Sequence, residues 1–143
     1  MNRVSEGERT AVLASYKILD TSAELAFDRI TRLAAQLLDA PIAMINFIDA
    51  DRTWSKSVYG AEPIDAPRSQ TICAHTLTAD DALTVADLGA HPSFREMPTV
   101  KIDSIRAYSR RSAAHRRRPR VGDHLCPRQT TACLRRCTGA CAA

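Results

Sequence analysis

The sequence predicts an α+β domain, an antiparallel sheet flanked by helices. Three stretches carry that expectation. "AFDRITRLAAQLL" places apolar residues at helical spacing. "IAMINFID" follows at once, apolar nearly throughout and rich in residues that suit a pleated surface. Past a "DADR" turn, "TWSKSVYG" alternates in period two. A helix followed by two strands on a tight turn buries its apolar stripe against one face of the hairpin. With 143 residues there is room for one domain and one modest core.

Each element has its own signal. From Ser5 to Leu19, Val12, Leu13, Tyr16 and Leu19 fall at helical spacing. Thr21 and Glu24 form a T-x-x-E pattern, which predicts a capping box at the start of the next helix. In that helix Phe27, Ile30, Leu33, Ala34, Leu37 and Leu38 make one stripe, and Pro41 ends it. The residues expected deepest in the core are Phe27, Ile30, Leu33, Leu37, Ile42, Met44, Ile45 and Phe47. In the second strand Trp54, Lys56 and Val58 should share one face, and Ser55, Ser57 and Tyr59 the other. "AEPIDAPRSQ" reads as a loop, "TICAHTL" as a short helix and "ALTVADL" as a third strand. "HPSFREMPTV" reads as a helical turn between Pro92 and Pro98, and "IRAYS" as the start of a fourth strand.

At Ser109 the character of the chain changes. Residues 110–143 carry nine Arg and a single acid, Asp123, whereas the part before them is net acidic. Four of the five cysteines, Cys126, Cys133, Cys137 and Cys141, sit in this tail. Their C-x6-C-x3-C-x3-C spacing does not match the paired knuckles of a zinc ribbon, and no metal site is expected. The run "RRSAAHRRRPR" has the charge to contact phosphate, yet no aromatic residue follows Arg110 to stack on a base. Nucleic-acid binding by the basic tail is the weaker reading. So polar a segment is expected to be disordered.

The order of these pieces resembles the GAF domain, in the bacterial subtype that precedes sensor kinases and diguanylate cyclases. The resemblance runs from about Tyr16 to Ser109, through "LDTSAELAFDRITRLAAQLLDAPIAMINFIDADRTWSKSVYG", "CAHTL", "LTVADLGAHPSF" and "IRAYS". It implies a GAF-like antiparallel sheet flanked by helices, with a ligand pocket over one face. It also implies further apolar strands after "IRAYS", so the sheet is expected to be incomplete at its C-terminal strands. The expected division is an N-terminal helix over 1–20, a partial GAF-like sensor domain over 21–109 and the basic tail over 110–143. Codons for Ser109 to Gln129 can be chosen so that reading one base later gives "RGAPLRTADGRVSATICALD", a strand, a D-G turn and a second strand. The tail therefore reads as the product of a frameshift.

The resemblance implies a non-catalytic small-molecule sensor in signal transduction. Trp54, Cys73, His75 and Asp87 are the candidate ligand-binding residues, and no catalytic residue is expected. The ligand and any cofactor are unidentified. An output protein of histidine-kinase or diguanylate-cyclase type would act in trans, and the N-terminal helix could pair two copies as a homodimer. The competing reading is a Cys73-dependent redox enzyme, since some GAF relatives reduce free methionine sulfoxide. Those enzymes carry a second cysteine where this chain has "GAHPSFREMP". Cys73 is more simply a small buried hydrophobe, and Asp87 a cap for the turn after it. Nothing in "MNRVSEGERT" reads as a signal peptide and no apolar run has membrane-spanning length. A cytoplasmic location with reduced thiols is expected, with no membrane contact.

Overall fold

A computed structural model describes residues 5–75, 77, 82–101, 105–112 and 129–136. Helix α1 spans Glu6–Ser15 and helix α2 spans Leu25–Leu37. Strand β1 (Ile42–Ile48) turns back into β2 (Arg52–Tyr59), and the short β3 (Asp65–Pro67) runs beside it. A one-turn helix α3 (Ile72–His75), strand β4 (Ala82–Val85), a one-turn helix α4 (Pro98–Lys101) and strand β5 (Ile105–Ser112) follow. Strand β6 is Gln129–Arg136. The six strands form one sheet in the order β3-β2-β1-β6-β5-β4, every described pair antiparallel.

The α+β architecture, with helices against an antiparallel sheet, is as the sequence predicts. Its C-terminal edge is different. Strand β5 runs past Ser109 to Ser112, and β6 comes from the tail to lie between β1 and β5. Over Gln129–Arg136 the expectation of disorder, and of a sheet lacking its later strands, is replaced by a central strand. Its backbone is satisfied on both sides by ladders to Ile42–Phe47 and to Ile105–Ser112. The Arg run 116–120, Cys126, Cys137 and Cys141 lie outside the described residues.

The helix starts also differ from expectation. The capping box forms at Ser5 and Glu8, where Glu8 N–H donates to Ser5 Oγ and Ser5 N–H to the Glu8 carboxylate. Thr21 and Glu24 make no such box, and α2 begins without a side-chain cap. Both are drawn off by Lys56, whose Nζ donates to Thr21 Oγ1 at 2.6 Å and pairs with Glu24 Oε1 at 2.6 Å.

Lys56 arrives there because of a bulge. Ile45 pairs with Ser57 but Asn46 pairs with Ser55, so Lys56 is the extra residue on β2. The alternation expected for "TWSKSVYG" breaks at that point. Trp54 packs on the cluster of Leu13, Ile45 and Phe47 on the α2 side, Lys56 lies over the Phe27 ring on the same side, and Val58 packs with the opposite core.

Alternation in β1 divides the interior. Ala43, Ile45 and Phe47 face α1 and α2, while Ile42, Met44 and Ile48 face α3, α4 and the 88–97 turns. Ile42, Met44, Ile45 and Phe47 are buried as expected. Helix α2, however, presents a different face to the sheet. Thr31 and Ala35 are buried, whereas Ile30, Leu33 and Leu37 are exposed by 52%, 54% and 75%. Polar geometry sets this rotation: Thr31 Oγ1 meets Ser57 Oγ at 2.7 Å, and Ser57 Oγ donates to Asp28 Oδ1 at 2.6 Å. Ala35 then packs on Ala40 and Ala43, a close approach that Leu side chains would prevent.

Between β2 and β3, Gly60 takes φ +77°, and a Cβ there would lie 1.9 Å from Pro41 O. Only glycine fits this corner.

Candidate functional site

On the sheet face opposite α2 lies a cavity of about 470 Å³. Among the described residues, Ile42 and Met44 of β1 and Ile105 and Tyr108 of β5 belong to its floor. The 61–66 segment forms one wall, Gln70 to Cys73 a second, and Pro98 and Thr99 at the start of α4 a third. These walls come from the stretches without strong periodicity, "AEPIDAPRSQ" above all. That stretch, read as a loop from the sequence, adds the short edge strand β3 beside β2, and its remaining residues turn over the sheet to border the cavity.

The polar atoms at the floor are engaged with one another. Tyr108 Oη donates to Cys73 Sγ at 3.4 Å, and Asn46 Nδ2 donates to the same sulfur at 3.4 Å. Ser55 Oγ donates to Asn46 Oδ1 at 2.7 Å and accepts from Ile64 N–H at 2.9 Å. Thr71 Oγ1 meets Thr53 Oγ1 at 2.7 Å. This buried chain ties the floor to the 61–66 wall and to the start of α3.

A charged brace stands behind that wall. Arg9 of α1 is buried and donates to Ile48 O, and its Nη2 pairs with Glu6 Oε1 at 2.7 Å. Arg68, just after β3, pairs with the same Glu6 oxygen. Hydrogen bonding from Arg9, with Arg68 adding to it, lowers the Glu6 carboxyl to about 2. Arg52 bridges Asp20 at 2.6 Å and Asp65 at 3.0 Å, and the hydrogen bond to Asp20 raises the guanidinium above its ordinary value.

Of the four candidate ligand-binding residues, only Cys73 lines the cavity. Trp54 is directed to the other side of the sheet, with its ring centroid 6.5 Å from that of Phe47. His75 is exposed, its Nδ1 is 2.9 Å from Thr71 O, and it borders a shallow depression beside Ala50, Asp51 and Arg68. Asp87 caps the turn after β4, accepting from Gly89 N–H at 2.8 Å. Sequence reasoning missed Met44, Ile64, Thr71 and Tyr108. Period-two alternation along "IAMINFID" and "IRAYS" marks Met44 and Tyr108 as inward positions, but it does not say on which face a cavity opens. No helix among the described residues is long and apolar enough to cross a membrane.

The sheet is thus packed by α1 and α2 on one face and borders a cavity of ligand size on the other. The family model for the GAF domain matches residues 22–126, and the chain belongs to that family. The match, like β5, continues beyond Ser109. A cyclic di-GMP phosphodiesterase of Pseudomonas aeruginosa is 29% identical over 96 residues, which cover 67% of this chain and 16% of that protein. The chain thus spans about a sixth of that relative. Among solved structures, the GAF domain of a phosphoenolpyruvate-protein phosphotransferase from Coxiella burnetii superposes with a TM-score of 0.58 at 9% identity. It covers 92% of this chain and 80% of that one. A putative GAF sensor protein from Burkholderia vietnamiensis gives 0.55 at 13% identity, over 95% and 84% of the two chains. At such identities these structures speak for the fold.

Proposed function

We propose that the chain is a non-catalytic small-molecule sensor module of a signalling protein. The carrying observation is the cavity of about 470 Å³ between the sheet and the 61–73 wall. Cavities of this size hold small ligands. The output would be an enzyme of the histidine-kinase, diguanylate-cyclase or phosphodiesterase kind, the last suggested by the Pseudomonas relative. Any homodimer through the N-terminal helix would use Val12 and Tyr16, because Leu13 is buried in the core. A cytoplasmic location is part of the proposal.

The test is direct. Purified chain incubated with cyclic di-GMP and a divalent cation should show no hydrolysis, and amide NMR with a fragment library should give shifts clustered at Met44, Thr71 and Tyr108. Turnover of the dinucleotide, or shifts scattered away from the cavity, would overturn the reading.

The redox alternative keeps one supporting observation, the Cys73 sulfur held by two donors in a cavity wall. Free methionine sulfoxide with a thiol reductant tests it. The sensor reading expects no turnover, and therefore no difference between the chain and its Cys73→Ser variant.

A further inference from the structure

The face of α2 turned away from the sheet carries Ala26, Ile30, Leu33 and Leu37, at spacings of four, three and four residues. All four are exposed, the three large ones by 52%, 54% and 75%. The core of the domain does not use them. Helix α2 meets the sheet through Thr31 and Ala35, with Phe27 and Asp28 half-buried beside them. Alternating steps of three and four make a repeat of 3.5, the period that keeps one narrow seam facing a second helix. We infer that a second copy of this chain covers the seam, α2 against α2 and antiparallel.

The seam is complementary to itself. About a two-fold axis across the helix, Ala26 of one copy meets Leu37 of the other, and Ile30 meets Leu33. Every layer is then apolar on both sides, and at each end a large residue faces a small one. Parallel pairing would set Ala26 against Ala26 and Leu37 against Leu37, with a gap at one end and crowding at the other. Beside the antiparallel seam, Arg29 of one copy lies next to Gln36 of the other, so like charges do not meet there. With Leu25 at its edge, the exposed parts of these side chains amount to about 500 Å² of apolar surface over two copies. That is less than a permanent dimer needs, so the pair forms at high concentration and separates on dilution.

Sedimentation equilibrium of the full chain from about 5 to about 500 μM should show the mass rising from that of one chain toward that of two. Ile30→Lys and Leu33→Glu each place a charge in the seam, and each should stay single throughout. Both positions are exposed in the separate chain, so at the dilution of a thermal melt both variants should keep the parent circular dichroism and melting point. Mixed one to one, the two variants should recover the dimer. Antiparallel pairing sets their substituted positions against each other and restores the contact of Ile30 with Leu33 in the neighbouring layer. Tyr16→Lys, on the exposed side of the chain just after α1, should dimerise as the parent does. A single chain at every concentration would overturn the inference. A lowered melting point of dilute Leu33→Glu would do so too, by assigning the cover of α2 to residues of the same chain outside the described ones. So would a dimer that survives Leu33→Glu, or one lost on Tyr16→Lys. No recovery on mixing would overturn the antiparallel pairing. None of these outcomes bears on the cavity, and the sensor reading stands or falls apart from them.

Discussion

The ammonium of Lys56 stands 2.6 Å from the carboxylate of Glu24, with the lysine side chain fully buried and the glutamate about half in water. The two ends of this pair are therefore unequal. Glu24→Gln leaves a buried charge held by Thr21 Oγ1, Ser22 O and the Phe27 ring, and should cost about 1–3 kcal/mol. Lys56→Met removes the buried charge and frees Glu24 into water, so it should be within about 1 kcal/mol of neutral. Urea denaturation of both variants checks the order. A larger loss for Lys56→Met would mean that the lysine's own hydrogen bonds dominate.

Glu6 gives a pH dependence whose sign follows from its lowered pKa. A carboxyl held at about 2 and released to its ordinary 4.5 on unfolding stabilises the fold above the higher value. That contribution should fade as the pH drops from about 4.5 toward 2. Glu6 is half exposed, so the effect should be only about 0–1 kcal/mol in salt. Glu6→Gln should flatten the melting temperature across that window and change little at pH 7 beyond the lost pairing with Arg9 and Arg68. An unchanged acid slope in the variant would assign the dependence to other carboxylates.

The two faces of α2 should respond in opposite ways. Leu33→Lys and Leu37→Lys lie on the exposed face and should shift stability by no more than about 0.5 kcal/mol. Ala35→Leu enters the contact with Ala40 and Ala43 and should cost about 1–3 kcal/mol through overpacking. Thermal melts of the three variants separate the faces. A large loss at Leu33 would show that this side is covered in solution.

The tail supports a test at the level of the gene. Sequencing through the codons after Ser109 and reading one base later should give an apolar strand, a D-G turn and a second apolar strand. The sheet has a matching place, since the strand after β5 lies between β5 and β1. A chain carrying the neighbouring-frame text should melt more sharply and at higher temperature than this one. Absence of any such continuation in that frame would remove the frameshift reading.

The uneven legibility of the fold has physical causes. Strand β1 was plain in the sequence because it is buried on both faces, so every residue from Ile42 to Ile48 is constrained. Helix α2 was legible as a helix but not in its rotation. Thr31, Ser57 and Asp28 choose the inward face through hydrogen bonds, and hydrophobic periodicity does not register those bonds. The bulge at Lys56 was hidden because one extra residue leaves the period-two pattern of "TWSKSVYG" intact in the sequence while reversing its meaning. Strand β6 was missed because "QTTACLRR" has no pattern of its own; its neighbours define it. In the cavity, Cys73 stood out by residue type, whereas Tyr108 and Ile64 matter through where the backbone carries them.

The central position of β6 has a kinetic consequence. During synthesis β1 and β2 can pair as soon as they emerge, since a short turn joins them. The other side of β1 must wait for Gln129–Arg136, the last strand described in the chain, and the closing contacts span most of the sequence. Until then one edge of β1 and the facing edge of β5 both present open backbone. Such non-local closure is slow, and a ribosome-bound or prematurely ended chain would display its most apolar strand with an unfilled side. The chain should accordingly depend on chaperones for as long as that slot stays empty.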